Sequence, residues 1–284
     1  MKVYFVGAGP GDPELLTVKA RKLLAGCRFC IYAGSLVSPG VVACISPKAE
    51  RHDSAKLALP QIIALVRKAR KRGLDVVRLH SGDPSIYGAT REQMNALDRL
   101  RIPYEVVPGV SSFQAAAAAL ATELTAPEVA QTIILTRTAG RTPLPPRQRL
   151  ERLAASQATL CIFLSAPKLD VVARALSRHY GADCPAAAVH RASWPDQVIV
   201  RGTLRDIAPR IQAAGIGKRT TMFIVGRALS RDIPVSKLYD AGFTHGCRRT
   251  DDKLPAPFGD TACRRLTRRR KDAKRASWRL GALA

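Results

Sequence analysis

The sequence predicts an α/β protein built in two halves. Three observations predict it: short apolar strands alternate with amphipathic helical stretches, turn residues separate the units, and three strands run straight into loops rich in Gly, Pro and Ser. In order, residues 3–6 form an apolar strand, followed by a helical run over 15–25 and a second apolar strand over 29–32. Residues 61–72 are helical, with Ile62, Ile63, Val66 and Ala69 on one face and Arg67, Lys68, Arg70 and Lys71 on the other. The alternation repeats through 76–79, 92–100 and 104–107, then through 132–135, 150–155, 159–164, 171–178, 186–189, 204–213 and 222–225. The uncharged stretch 106–122 opens on Pro108-Gly109 and carries Ser111, Ser112 and Gln114, so it reads as a turn entering a buried helix. Its 17 residues fall short of the roughly 20 apolar residues of a membrane span. The surroundings of Pro127 and the Pro- and Thr-rich stretch 140–146 mark a seam. The expected domains are therefore 1–124 and 125–247, with a basic tail, 248–284, expected to be disordered.

Composition narrows the function classes. The 284 residues carry 46 Lys and Arg against 22 Asp and Glu, a net charge of +24, which should draw polyanions: nucleic acid, an anionic membrane surface, or a small molecule with many carboxylates or phosphates. A hydrophobic share of 46% excludes wholesale disorder. The tail holds 12 Lys and Arg against 4 Asp and Glu, leaving 34 against 18 on residues 1–247, so the positive balance belongs to the folded part. The tail offers only Phe258 and Trp278 for base stacking, which argues against a nucleic-acid arm. The start, Met1-Lys2-Val3-Tyr4-Phe5-Val6-Gly7, is a first core strand and not a signal peptide. Seven cysteines, an odd number, fall mostly in apolar runs and read as reduced core thiols of a cytoplasmic protein. Cys27 and Cys30 have the spacing of a redox or metal pair, but no second pair accompanies them, so core packing and no protein-bound metal are expected.

The loops carry the chemistry. After the first strand comes Gly7-Ala8-Gly9-Pro10-Gly11-Asp12-Pro13-Glu14, which either binds a ligand along bared backbone or forms a tight turn in which Asp12 caps the next helix. A dinucleotide fingerprint fails here. Its third glycine would fall at Asp12, and no acidic residue follows the second strand to hold a ribose. A second loop, His80-Ser81-Gly82-Asp83-Pro84-Ser85-Ile86-Tyr87-Gly88, follows strand 76–79, and a third, Pro108-Gly109-Val110-Ser111-Ser112, follows 104–107. Three such strand ends imply one crevice at the sheet edge. None of the loops contains a lysine, which argues against a nucleoside triphosphate. Asp83 suits an ammonium and the neighbouring N–H groups suit a carboxylate, a pairing that fits the methionine end of S-adenosylmethionine.

With these residues on view, the chain resembles the tetrapyrrole methylases over about residues 1–247. The likeness rests on Val6-Gly7-Ala8-Gly9-Pro10-Gly11-Asp12-Pro13-Glu14-Leu15-Leu16-Thr17, Tyr32-Ala33-Gly34-Ser35-Leu36-Val37, the segments 81–88, 108–113 and 131–140, Glu123-Leu124-Thr125, and Arg191-Ala192-Ser193-Trp194-Pro195-Asp196-Gln197. The runs 33–37, 131–141 and 194–196 are similar to those of members acting at carbon 11 of the ring. The resemblance implies a two-domain α/β tetrapyrrole methylase fold, distinct from the Rossmann methyltransferases, with S-adenosyl-L-methionine in the cleft between domains. It further implies a polycarboxylate tetrapyrrole substrate and a homodimer, with neither membrane nor nucleic acid as partner. Carried over by position, Pro10, Ser81, Gly82, Asp83, Ile86, Ser111, Ser112, Leu164 and Ala192 would line the donor pocket. Relatives acting on uroporphyrinogen place a basic residue after the second strand. Tyr32-Ala33-Gly34-Ser35-Leu36 has none, so no acid/base pair is carried over to Asp12 and no catalytic residue is assigned. Arg78, Arg91, Arg137, Arg141 and Arg191 are candidates to anchor substrate carboxylates, and His80 either orients its loop or touches substrate.

Overall fold

Ten strands form two separate five-stranded sheets in the computed structural model, which describes residues 1–140, 142–216, 219–236 and 243–244. The first sheet takes β1 (Val3–Gly7), β2 (Phe29–Tyr32), β3 (Glu50–Asp53), β4 (Val76–His80) and β5 (Tyr104–Val107) in the order β3-β2-β4-β1-β5, all parallel. Between the strands lie α1 (Val18–Gly26), α2 (Pro39–Ala43), α3 (Leu59–Lys71) and α4 (Arg91–Arg99), and α5 (Ser112–Ala119) leaves the sheet after β5. A parallel sheet needs apolar cover on both faces. Val6, Val77, Leu79 and Val107 pack on one side with Leu24 and Val41, and Val3, Phe5, Ile31 and Val76 pack on the other with Ile62, Val66 and Leu97.

The second sheet, β6 (Ile133–Arg137), β7 (Thr159–Phe163), β8 (Pro185–His190), β9 (Val198–Thr203) and β10 (Thr221–Val225), runs β6-β7-β10-β8-β9. Only β6 and β7 are parallel; the other pairs are antiparallel. The helices α6 (Leu150–Ala154), α7 (Leu169–Tyr180) and α8 (Ile207–Ala213) cover one face, with Leu176, Tyr180 and Ile207 fully buried. On the other face, Ala115, Ala116 and Leu120 from α5 and its end pack against Ala187, Val189, Met222 and Ile224. The alanine run lets α5, whose entry loop belongs to the first sheet, reach the second. Both sheets lie within one compact unit, Met1–Pro234.

The α/β class expected from the alternation is what the chain adopts, and three details differ. The helical run begins later than residue 15: Asp12 caps a short turn at Pro13–Leu15, and Thr17 Oγ1 then accepts from Ala20 N (3.2 Å) to start α1. β3 was not expected, because Glu50-Arg51-His52-Asp53 is a charged edge strand without apolar alternation. β9 and the five-residue α2 are likewise additions. Among the described cysteines, 27, 30, 161 and 184 are buried, Cys44 is half-buried, and all five are free. Cys27 Sγ donates to Leu24 O (3.2 Å), a packing role. Cys247, Cys263 and the tail 248–284 lie outside the described residues. Among the described residues no helix is long and apolar enough to cross a membrane.

Candidate active site

Strand order brings the three loops together. β4, β1 and β5 are immediate neighbours, so their carboxyl ends deliver the second, first and third loops side by side. Gly9 and Gly82 bond reciprocally: Gly82 N donates to Gly9 O (2.8 Å) and Gly9 N to Gly82 O (3.2 Å). Gly7 and Gly109 approach so closely that a Cβ on Gly7 would stand 2.6 Å from Gly109 Cα and 2.7 Å from Gly82 O. Gly82 has φ +63°, a conformation that only glycine adopts without cost. Asp83 crosses from the second loop to the third. Its Oδ2 accepts from Gly109 N (2.9 Å), while Oδ1 accepts from Ser85 N (2.8 Å) and from the Ser85 hydroxyl. Burial opposes the charge on Asp83, but these hydrogen bonds outweigh it and hold the carboxyl below its ordinary range. Of the two readings of the first loop, the turn is realised: Asp12 Oδ1 accepts from Glu14 N (2.8 Å), Gly7 packs on Gly109, Gly9 on Leu15 and Gly11 on Trp194, and Pro10 reaches the cavity wall.

A segment of the second half closes over this edge. Trp194 Nε1 donates to Pro10 O (2.8 Å), and Ser193 Oγ accepts from Asp12 N (3.0 Å), 181 residues away in sequence. The Trp194 indole occupies the space a Cβ on Gly11 would need. Beneath lies a cavity of about 1030 Å³, lined from both sheets. Every residue singled out for the donor pocket (Pro10, Ser81, Gly82, Asp83, Ile86, Ser111, Ser112, Leu164 and Ala192) is on its wall. Leu164 stands at the end of β7 with φ +53° and is 67% exposed, an apolar side chain held out into the cavity mouth. Tyr87, Ala89 and Arg191, also on the wall, share the left-handed backbone region. Such cost persists only where the surroundings impose it. Tyr87 meets Phe163 of β7 with ring centroids 5.2 Å apart, a second bridge between the halves.

The candidate arginines separate into groups. Arg78 and Arg191 line the cavity, whereas Arg91 and Arg137 do not. Arg137 spends its guanidinium on the carbonyls of Thr138, Thr142 and Pro143, and Arg141 lies outside the described residues. Arg191 pairs with Asp196 and stacks over Trp194 at 5.1 Å, so it also supports the clamp. Lys56 and Arg219 are wall residues not foreseen, as are Tyr87 and Gln93; Lys56 follows the unforeseen β3. Among the described residues the wall thus carries four cations against two carboxylates, Asp83 and Glu92. His80 lies on the wall, 5% exposed, with Nε2 unpartnered. Burial, aided by the Arg78 charge, lowers it to about 3, so it is neutral near neutral pH. Among the described residues no group of three or more His, Cys, Asp or Glu could hold a metal. In the turn after β2, Gly34 N donates to Asp53 Oδ1 (3.0 Å), and the Asp53 carboxylate fills the space where a larger residue would stand.

A nucleoside sulfonium fits this setting on structural grounds: Gly82 brings backbone to the cavity wall, Asp83 supplies an anionic wall group, and Leu164, Ile86 and Ala192 supply apolar surface. Comparison with known proteins agrees. The sequence profile of the Tetrapyrrole (Corrin/Porphyrin) Methylases matches residues 2–208. The chain is 50% identical over 252 residues to a precorrin-4 C(11)-methyltransferase of Pseudomonas aeruginosa, covering 86% of this chain and 98% of the relative. A solved cobalt precorrin-4 methyltransferase of cobalamin biosynthesis superposes with a TM-score of 0.78 at 42% identity, over 81% of this chain and 96% of that one. The uroporphyrin-III C-methyltransferase of Thermus thermophilus, solved in complex with S-adenosyl homocysteine, follows at 0.67 and 30%, over 81% and 93%. The chain belongs to the tetrapyrrole (corrin/porphyrin) methylases.

Proposed function

We propose that this protein transfers a methyl group from S-adenosyl-L-methionine to carbon 11 of precorrin-4, giving precorrin-5, in corrin ring synthesis. Where the ring carries cobalt, the metal arrives as part of the substrate. The observation that carries the reading is the gathering of all nine donor-pocket residues, drawn from both halves of the chain, on the wall of one cavity. Its volume of about 1030 Å³ stands at the upper end of the ~300–1,000 Å³ usual for small-molecule sites, as two reactants together require.

When bound, the donor supplies a sulfonium methyl that an electron-rich ring carbon attacks directly, the carbon–carbon bond forming as the carbon–sulfur bond breaks and its electron pair stays on sulfur. The chain's task is then positional. Asp83 and the loop N–H groups hold the amino-acid end, Leu164 and Ala192 cover the nucleoside, and the cationic wall residues hold substrate carboxylates. Holding two reactants in attack geometry supplies about 7–11 kcal/mol of barrier lowering. Quaternising carbon 11 leaves no proton on that carbon to remove, so no side chain is assigned as its base. Asp12 is committed to its cap and stands off the cavity wall, in keeping with that assignment.

Incubation with methyl-labelled donor and precorrin-4, read by NMR, tests the reading: label at carbon 11 is expected, and label at another ring carbon would overturn it. The active form is expected to be a homodimer, which sedimentation would show as twice the 30.7 kDa chain mass.

A further inference from the structure

We propose that Arg78, His80 and Gln93 form a built anion site that grips one carboxylate of the tetrapyrrole, an inference that rests on the function proposed above. β4 is buried along its whole length. Its alternate residues Val77 and Leu79 join the apolar cluster on one face, while the opposite face runs Val76, Arg78, His80. On that second face, α3 and α4 cover the sheet, and apolar residues would serve packing alone. A guanidinium there, 6% exposed, is costly unless something answers its charge.

The groups that hydrogen-bond to it are neutral. Arg78 Nε donates to Gln93 Oε1 (3.0 Å), and Nη1 donates to the carbonyls of Ile31 (3.3 Å) and Leu79 (3.4 Å), all neutral acceptors. Among the described residues no carboxylate lies within ion-pair distance of it. Gln93, itself buried on α4, is fixed as an acceptor because its own Nε2 donates to Ala89 O (2.9 Å). Two residues along the same strand face, the buried Nε2 of His80 also lacks a partner. All three side chains line the cavity, as do Lys56, Leu59 and Ile62 beside them, and none of those three belongs to the donor set.

Arg78 is buried at the cavity wall and propped by neutral groups, which leaves Nη2 for a ligand. The chemistry that completes the site is a carboxylate, with one oxygen accepting from Arg78 Nη2 and the other from His80 in its Nε2–H tautomer. A water molecule would satisfy His80 but leave the charge. In the function proposed above the donor's carboxylate belongs with the loops around Asp83, so the substrate's acetate and propionate arms are the ligands that fit here.

Replacing Gln93 with Glu tests this with the least disturbance, since it hands Arg78 an internal carboxylate in place of the substrate's. The probe is uroporphyrin III, a stable tetrapyrrole octacarboxylate, in equilibrium dialysis, with S-adenosylhomocysteine calorimetry and thermal melting alongside. Gln93→Glu exchanges the amide donor to Ala89 O for a carboxylate beside Arg78, so it is expected to melt near the wild-type temperature and to bind S-adenosylhomocysteine within twofold of wild type. Its uroporphyrin III binding should be at least tenfold weaker. Arg78→Gln should show the same selective loss and Arg78→Lys a partial recovery. Uroporphyrin III binding unchanged in Gln93→Glu would overturn the proposal, as would a loss confined to S-adenosylhomocysteine. A wild type that binds uroporphyrin III in an Arg78-dependent way but not S-adenosylhomocysteine would count against the donor pocket and in favour of this site.

Discussion

Trp194 and Gly11 show how much of the site depends on a single absent side chain. The indole lies where any Cβ on Gly11 would stand, and its Nε1 is already spent on the neighbouring Pro10 carbonyl. Gly11→Ala should therefore destabilise the fold by about 1–3 kcal/mol, read from the urea midpoint. Trp194→Ala in the same chain should recover part of that loss, because the two residues share one space. Asp83 works differently, since its carboxylate ties two loops together through Gly109 and Ser85. Asp83→Ala should weaken S-adenosylhomocysteine at least tenfold by calorimetry, and unchanged affinity would remove Asp83 from the donor pocket. His80 carries a pH signature. It is lowered to about 3 in the fold from an ordinary 6.5, so the unfolded chain takes up its proton first. Stability from this group is therefore complete above about pH 6.5 and declines as pH falls toward 3, by up to ~1.4 kcal/mol per unit. His80→Gln should flatten the stability–pH curve in that window, and an unchanged slope would mean that His80 is protonated in the fold.

Most elements are legible because burial leaves a periodic trace. β2 and β5 are found at the expected residues, and α3, α4 and α7 lie within two residues of their apolar stripes at each end. β3 is not legible, because an edge strand of Glu, Arg, His and Asp has no apolar face, and the partners of Glu50, Lys68 on α3 and Arg72 just after it, are remote in sequence. The three glycine loops are legible as strand-end loops that meet at one edge of the sheet. Their mutual bonding is not, since Gly9–Gly82 and Asp83–Gly109 are set by strand order, which alternation alone does not specify. The closure by Ser193 and Trp194 was hidden for the same reason. One signal could have been taken further: β4 reads Val-Val-Arg-Leu-His, a wholly buried strand with polar residues at alternate positions. α5 offers the test at this scale. Ala116 is fully buried against the second sheet, so Ala116→Leu should cost about 1–3 kcal/mol in denaturant unfolding. Because α5 begins at Ser112 on the cavity wall, donor affinity should fall with it.

Under the proposed function, the molecule as a whole answers a chemical problem that needs two reactants aligned more than it needs a proton shuttle. One parallel sheet supplies three loop-bearing strand ends in a row, and a mixed sheet supplies the opposing wall through Leu164, Arg191 and Ala192. The positive balance of the chain is repeated on the cavity wall, where, among the described residues, Lys56, Arg78, Arg191 and Arg219 face Asp83 and Glu92. That sign suits a polycarboxylate ring. Co-crystallisation with S-adenosylhomocysteine is the most direct test of the account. Density for the nucleoside along Gly82, Asp83, Ser111, Ser112, Leu164 and Ala192 is the predicted result, and a ligand bound elsewhere, or a cavity left empty at saturating ligand, would contradict it.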